Sequence, residues 1–181
     1  IEPTQENLKR IADLYIECFN APEKGENWTK ETAYQYLLDR KAEGSIFTTL
    51  RDDENIDIIC CGSDYKTSFI LKDLEFDPEH CAYISLLAMR NKYRDQGLST
   101  RIIKAYCNLL NEKGFQNFLI RCRSDNKPML SVLKKSDFKV ITEYNSELGG
   151  VTCKRSVLLR AMVKTPEDKK ELFMPAVKSN A

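Results

Sequence analysis

The chain has 181 residues and a mass of 20.9 kDa. That is the size of one domain, able to bury about 70% of its unfolded surface without a disulfide or metal staple. Hydrophobic residues at 42% and charged residues at 30% exclude a disordered chain. The net charge of +1 excludes a strongly basic nucleic-acid binder.

Thr4 caps a predicted helix running to Phe19, in which Leu8, Ile11, Ala12, Tyr15 and Phe19 recur at spacings of three and four. Residues 20–28 form a loop with Pro22 and Gly25. Thr29 caps a second helix, with Ala33, Tyr36 and Leu37 inward and Gly44 at its end. Residues 46–50 and 56–61 read as a hairpin joined by the polar turn Asp52-Asp53-Glu54-Asn55. An acidic connection over 73–78 leads to 81–89, a strand apolar almost throughout and expected to be buried on both faces. After a basic loop, Gly97 opens a helix with Leu98, Ile102, Tyr106, Leu109 and Leu110 on one face, closed by Gly114. Residues 118–122 read as a strand and 126–134 as a short helix with Pro128 in its first turn. Two strands follow, 138–144 and 157–163, joined through Gly149-Gly150.

This order predicts an α/β fold: a mixed sheet flanked by helices, with a hairpin first and a crossover unit at its centre. The domain spans 1–164, and a charged tail, expected to be mobile, spans 165–181. The seven cysteines are odd in number, contain no C-x-x-C, and lie mostly in apolar runs. They fit buried free thiols in a reducing cytoplasm. His80 is the only histidine, and no metal site is expected. No apolar run reaches the ~20 residues of a membrane helix.

The charge is unevenly spread. Residues 1–51 carry −2 and 52–79 carry −7, whereas 80–181, with 19 basic against 9 acidic groups, carry +10. Within the basic part, the stretch LLAMRNKYRDQGLST over 86–100 runs from a strand through a loop into a helix. The first N–H groups of that helix have no internal partners and sit at the positive end of its dipole. Gly97 and the small Ser99 allow close backbone approach, and Ser99 and Thr100 add hydroxyls. Arg90, Lys92, Arg94, Arg101 and Lys104 face one acid, Asp95. This is the physics of a pyrophosphate cradle, although it is neither the three-glycine dinucleotide fingerprint nor a Walker loop. Composition alone fits an ordinary strand-to-helix turn equally well.

Residues 82–138 resemble the core of the GNAT superfamily of acyl-CoA-dependent N-acyltransferases. The family's Arg/Gln-x-x-Gly-x-Gly/Ala motif is matched by Arg94-Asp95-Gln96-Gly97-Leu98-Ser99, after an apolar strand ending Leu87-Ala88-Met89 and a Tyr93-Arg94 pair. Asn126, Met129-Leu130, Val132-Leu133 and Phe138 follow at the family's spacing. The resemblance implies acetyl-CoA as co-substrate. Arg94, Asp95, Gln96, Gly97, Leu98, Ser99 and Thr100 would hold its pyrophosphate. The backbone of Leu87 and Met89 would pair with the pantetheine arm where two strands splay apart, and Asn126 would bond that arm. Plain core packing and a helix cap are the alternatives for these last three.

There are departures from the pattern. Leu133 stands where many members carry a Tyr acid, Tyr83 where some place a catalytic Glu, and Asp137 where the family has Gly before Phe. The catalytic residues are therefore unassigned. Tyr83, which also reads as a core aromatic, and His80, with a pKa suited to a base, are the candidates. The resemblance implies an N-acetyltransferase that moves acetyl from acetyl-CoA to a primary amine by direct attack in a ternary complex. The acidic first part favours a small cationic amine, with Trp28 as an aromatic wall. A protein N-terminus or lysine side chain is the second option, and a non-catalytic CoA-binding module is the rival. No nucleic-acid or membrane partner is expected, and a homodimer is left open.

Overall fold

The computed structural model describes residues 2–51, 55–67 and 79–162. Within them, the two expected threonine caps start the first two helices. Thr4 Oγ1 accepts the Asn7 N–H at 3.2 Å and opens α1 (Gln5–Phe19). Thr29 and Thr32 each accept the other's backbone N–H and open α2 (Lys30–Ala42). β1 (Ile46–Arg51) and β2 (Ile56–Asp64) pair antiparallel. β3 (Cys81–Met89) lies between β2 and β4 (Asn117–Arg123), parallel to β4, and α3 (Leu98–Glu112) makes the crossover. α4 (Lys127–Lys135) leads to the antiparallel β5 (Lys139–Leu148) and β6 (Val151–Ala161). The sheet order is β1-β2-β3-β4-β6-β5. The mixed α/β architecture is the one expected. The acidic connection 73–78 and the tail 165–181 lie outside the described residues.

Helices cover both faces of the sheet. α1 and α2 bury Leu8, Ile11, Leu14 and Leu37 against Ile59, Cys61, Leu86 and Ala88. α3 and α4 bury Ile103, Tyr106, Leu110 and Leu133 against Cys60, Ala82, Ile84 and Phe118. Some inward faces differ from expectation. The α3 stripe is Ile103, Tyr106, Cys107 and Leu110, whereas Ile102 and Leu109 are half-buried. α2 buries the charged Arg40 beside Ala33 and Leu37. Its guanidinium pairs with Glu43 at 3.0 Å and lies 4.9 Å from the Tyr36 ring. β6 begins at Val151 rather than 157, because the Gly149-Gly150 turn lets Leu148 pair Val151 directly. The polar run 152–155 hid this strand. Its residues 151–154 pair with β5, and β4 joins the ladder only from Arg155.

Three single-residue bulges shape the sheet. In β3, Cys61 opposes Leu86 and Gly62 opposes Ile84, so Ser85 is the extra residue. The period-two alternation reverses there. Ala82 and Ile84 face α3, but Leu86 and Ala88 face α1 and α2. In β2 the extra residue is Asp57, between the pairs Leu50–Ile58 and Arg51–Ile56. In β5 it is Ile141.

Asp137, in the family's Gly position, has φ 66°. It closes α4 as a glycine would: its N–H bonds Lys134 O at 3.2 Å and the Phe138 N–H bonds Leu133 O at 3.0 Å. Asp tolerates the left-handed region better than most residues but is strained there. Asp137→Gly should relieve that strain, with part of the gain lost to the greater unfolded freedom of Gly. The Lys104–Asp137 pair at 3.5 Å is exposed and worth little. The net expectation is a gain of about 0.5 kcal/mol, or about 1–2 °C in Tm by calorimetry. A lowered Tm would show that the Asp137 side chain holds the turn.

Candidate active site

β3 and β4 pair only from Cys81–Asn117 to Ile84–Ile120. Beyond that point β3 continues to Met89 against β2, and β4 continues to Arg123 against β6. The sheet therefore opens at its centre, and the opening starts at the Ser85 bulge. The Arg90 N–H bonds Asp57 O at 3.0 Å, which fixes the alternation upstream. It turns the peptide groups of Leu87 and Met89 away from β2 and toward the gap. The Met89 carbonyl is engaged within the chain, accepting from Arg94 Nε and from Cys18 Sγ, both at 3.4 Å. The Leu87 side chain packs against the core beneath α3.

At the mouth of the gap α3 begins without a side-chain cap. Gly97 has φ 70°, and a Cβ built there would meet no atom within 4 Å. The N–H groups of Leu98, Ser99 and Thr100 lie in the first helical turn, where no intrahelical acceptor reaches them, as an anion cradle requires. Ser99 Oγ lies 3.7 Å from Met89 Sδ. Arg94 is exposed, and Asp95 takes a positive φ of 61°. Gln96 Nε2 donates to Lys92 O at 2.9 Å, tying the loop to itself.

The five basic groups counted in the sequence are not all available to a ligand. Arg90 is ion-paired with Glu17 and lies 3.2 Å from Asp57. Lys92 is also 3.2 Å from Asp57, which raises the lysine's pKa, and Lys104 pairs with Asp137. Asp57 lay unremarked in the sequence as one acid within an apolar strand. Only the register of β2 against β3 reveals its place under the loop.

Asn126 caps α4, its Oδ1 accepting the Met129 N–H at 3.2 Å. Leu133 is fully buried in the cluster with Ile103, Tyr106 and Phe138. Tyr83 is buried on the α1–α2 side with Leu119 and Val157, and burial raises its pKa. His80 is exposed at the start of β3, on the far side of the paired stretch from the gap. Trp28 packs edge-on against Tyr15 at 4.8 Å, and its Nε1 donates to Glu26 at 3.2 Å. The α1–α2 loop and the β5–β6 hairpin touch at Gly25, where a Cβ would run into the Leu148 carbonyl.

Of the nine acids over 52–79 on which the expected acidic acceptor side rested, six lie outside the described residues. On the α1–α2 face, β4 and β6 present Arg121, Arg123 and Arg155. Arg121 donates to Tyr144 Oη at 2.9 Å, Arg155 to Ser146 Oγ at 3.2 Å, and Arg123 grips Asp125. The expectation rested on the first helices together with residues 52–79, half of which lie outside the described residues.

The model of the acetyltransferase (GNAT) family matches residues 8–138, most of the chain. The chain belongs to the GNAT family. It is similar to N-alpha-acetyltransferase 30 of Schizosaccharomyces pombe, 26% identical over 105 residues, which are 58% of this chain and 63% of that protein. The chain thus spans less than two thirds of the length of that curated relative. Its fold is that of the ribosomal-protein-S18-alanine N-acetyltransferase from Escherichia coli, with a TM-score of 0.67 and 11% identity over 91% of this chain and 94% of that one. It is shared with the microcin C7 self-immunity acetyltransferase in complex with acetyl-CoA and AMP, with a TM-score of 0.61 and 14% identity over 89% and 90%. Both are likenesses of fold.

All seven cysteines of this GNAT chain are free, and only Cys18, beside the gap, is more than slightly exposed. Burial pushes the Cys61 thiol up to about 12, and those of Cys107 and Cys122 up to about 11. An unfolded thiol ionises near 8.5. The buried thiols therefore contribute stability that is fully present below about pH 8.5 and is lost as pH rises through about 11–12. The urea midpoint should fall steadily above about pH 9. A thiol reagent should label Cys18 alone in the native protein, and all seven cysteines in urea. Rapid native labelling of several thiols would contradict this burial.

Proposed function

We propose that this chain is an acetyl-CoA-dependent N-acetyltransferase whose acceptor is the α-amino group of a protein or peptide N-terminus. The observation that carries the first half is the opening between β3 and β4 beside an uncapped helix start with no Cβ in the way. The gap supplies backbone donors and acceptors to an amide-bearing chain, and α3 supplies N–H groups to its phosphates.

In this reading the Leu87 peptide and the Met89 N–H run along the pantetheine arm. Arg94 holds the pyrophosphate by charge, Gly97 by lacking a side chain, and Leu98, Ser99 and Thr100 by their N–H groups. Asp95 and Gln96 shape the loop, and Asn126 Nδ2 reaches the arm while Oδ1 caps α4. Bound there, acetyl-CoA supplies an acetyl thioester open to attack by a neutral amine. The chain's own residues align the two partners, which is the larger share of the rate such a site can give.

The acceptor follows from proton bookkeeping. Direct attack needs a neutral amine. His80 lies beyond the paired stretch, and burial keeps Tyr83 an un-ionised phenol at neutral pH, so neither supports the role of base. An α-amine of pKa about 7.7–8.0 is roughly a quarter neutral near pH 7.4, whereas a lysine of pKa about 10.4 is neutral in about one molecule per thousand. That ratio of about 10² favours the α-amine. So does the likeness to N-alpha-acetyltransferase 30. The described face balances Arg121, Arg123 and Arg155 against Glu26 and Asp125 and so adds no acidic surplus in favour of a small cationic amine.

Calorimetric titration should give a micromolar Kd for CoA. Gly97→Val should abolish binding, because its side chain fills the open approach and a β-branched residue is strained at φ 70°, and circular dichroism should still show the native fold. Arg94→Ala should cost about 1.5–3 kcal/mol and flatten the salt dependence. Unchanged affinity in both variants would make the loop an ordinary turn. In a thiol-release assay, kcat/KM for a peptide N-terminus should rise from pH 6 and level off near about pH 8. It should exceed that for a lysine side chain or a polyamine by about 10². A preference for either of those would overturn the acceptor assignment, and CoA binding without thiol release from any amine would favour a binding module.

A further inference from the structure

Asp57 is a carboxylate only 1% exposed, at a bulge in β2. Bulges re-aim side chains and are enriched beside functional sites. Here the strand end is turned under the loop that joins β3 to α3. One Asp57 oxygen lies 3.2 Å from Arg90 Nε and 3.2 Å from Lys92 Nζ. The other accepts from Tyr93 Oη at 3.1 Å. The Asp57 carbonyl accepts the Arg90 N–H at 3.0 Å. Three of the first four residues after β3 are therefore gathered on one residue of a neighbouring strand. From α1, Glu17 takes the remaining side of Arg90. A carboxylate this buried is tolerable only when it is paired on several sides, and losing it would free every group it holds.

Resting on the acetyl-CoA reading above, we propose that Asp57 is a positioning residue for the pyrophosphate loop. It sets the path from Met89 to Gly97, and so the direction of the α3 N–H groups, and it holds Arg90 and Lys92 out of the phosphate shell. The alternative, that Arg90 and Lys92 are themselves phosphate ligands, predicts the opposite sign. Arg90, Lys92, Asp57 and Glu17 sum to no net charge. Asp57→Asn removes a negative charge near a polyphosphate and leaves a net positive one. On charge alone CoA binds tighter to that variant. On the positioning account it binds more weakly, because the loop loses its anchor and pre-organisation.

The test measures Kd for CoA by calorimetry, and KM for acetyl-CoA and for S-acetyl-pantetheine, which lacks the pyrophosphate. For Asp57→Asn the expectation is a Kd for CoA about tenfold weaker, a matching rise in KM for acetyl-CoA, and an unchanged KM for S-acetyl-pantetheine. Equal or tighter CoA binding would overturn the proposal. So would an equal loss for both acetyl donors, which is the mark of a merely structural residue. Should Asp57→Asn not fold, Tyr93→Phe keeps every charge and removes the hydroxyl that bonds Asp57 and sits beside Lys92. It should weaken CoA about threefold without touching S-acetyl-pantetheine, and an unchanged CoA affinity would overturn the proposal as well. Wild-type protein that does not bind CoA would instead sink the acetyl-CoA reading itself, whereas wild-type binding with unchanged variants sinks this inference alone.

Discussion

The central strand β3 cannot remain paired on both sides. Its bulge at Ser85 reverses the facing of its side chains, and at that point its ladder with β4 ends. A sheet that parts in its middle leaves peptide groups without partners, and such groups need water or a ligand. The rest of the architecture accommodates that opening. α3 starts at its mouth, α1 and α2 lie over one face, and the β5–β6 hairpin leans on the α1–α2 loop at Gly25. The same parting that weakens the sheet is what makes room for the proposed co-substrate.

Electrostatics follow a similar division of labour. The positive surplus of the loop is real in the sequence but is partly consumed in the fold. Arg90 and Lys92 answer Asp57 and Glu17, and Lys104 answers Asp137. What faces the open space is mostly backbone: the N–H groups behind Gly97, with Arg94 beside them. Fixed dipoles of this kind need no reorganisation when a ligand arrives, whereas long basic side chains must be ordered first. A loop braced from beneath by a buried carboxylate suits that arrangement.

The proposed acceptor rests on the same economy. Tyr83 is held un-ionised by burial, His80 is remote, and Leu133 fills a core position with Phe138. A site without an evident base at neutral pH is best matched to an amine that is already partly neutral there. The described face beside the gap carries Arg121, Arg123 and Arg155 with Glu26 and Asp125, not the acidic surplus that a polyamine would seek.

Much of this was legible in the sequence because it is written in local rules. Thr4, Thr29 and Asn126 cap helices through their own side chains, Gly97 marks a positive φ, and the order of periodic segments dictates a mixed sheet. The family motif lies within one contiguous stretch, so the loop and the glycine at its centre could be named before any coordinates. What the sequence could not reveal depends on register. A bulge is one extra residue relative to a partner strand, and neither Ser85 nor Asp57 announces itself without that partner. The start of β6 was hidden because its residues 152–155 are mostly polar, and it is held as a strand by its pairing with β5. The pairing of Arg90 and Lys92 with Asp57 joins residues more than thirty positions apart. Composition counts charges, but only the tertiary structure decides which of them are already spent on one another.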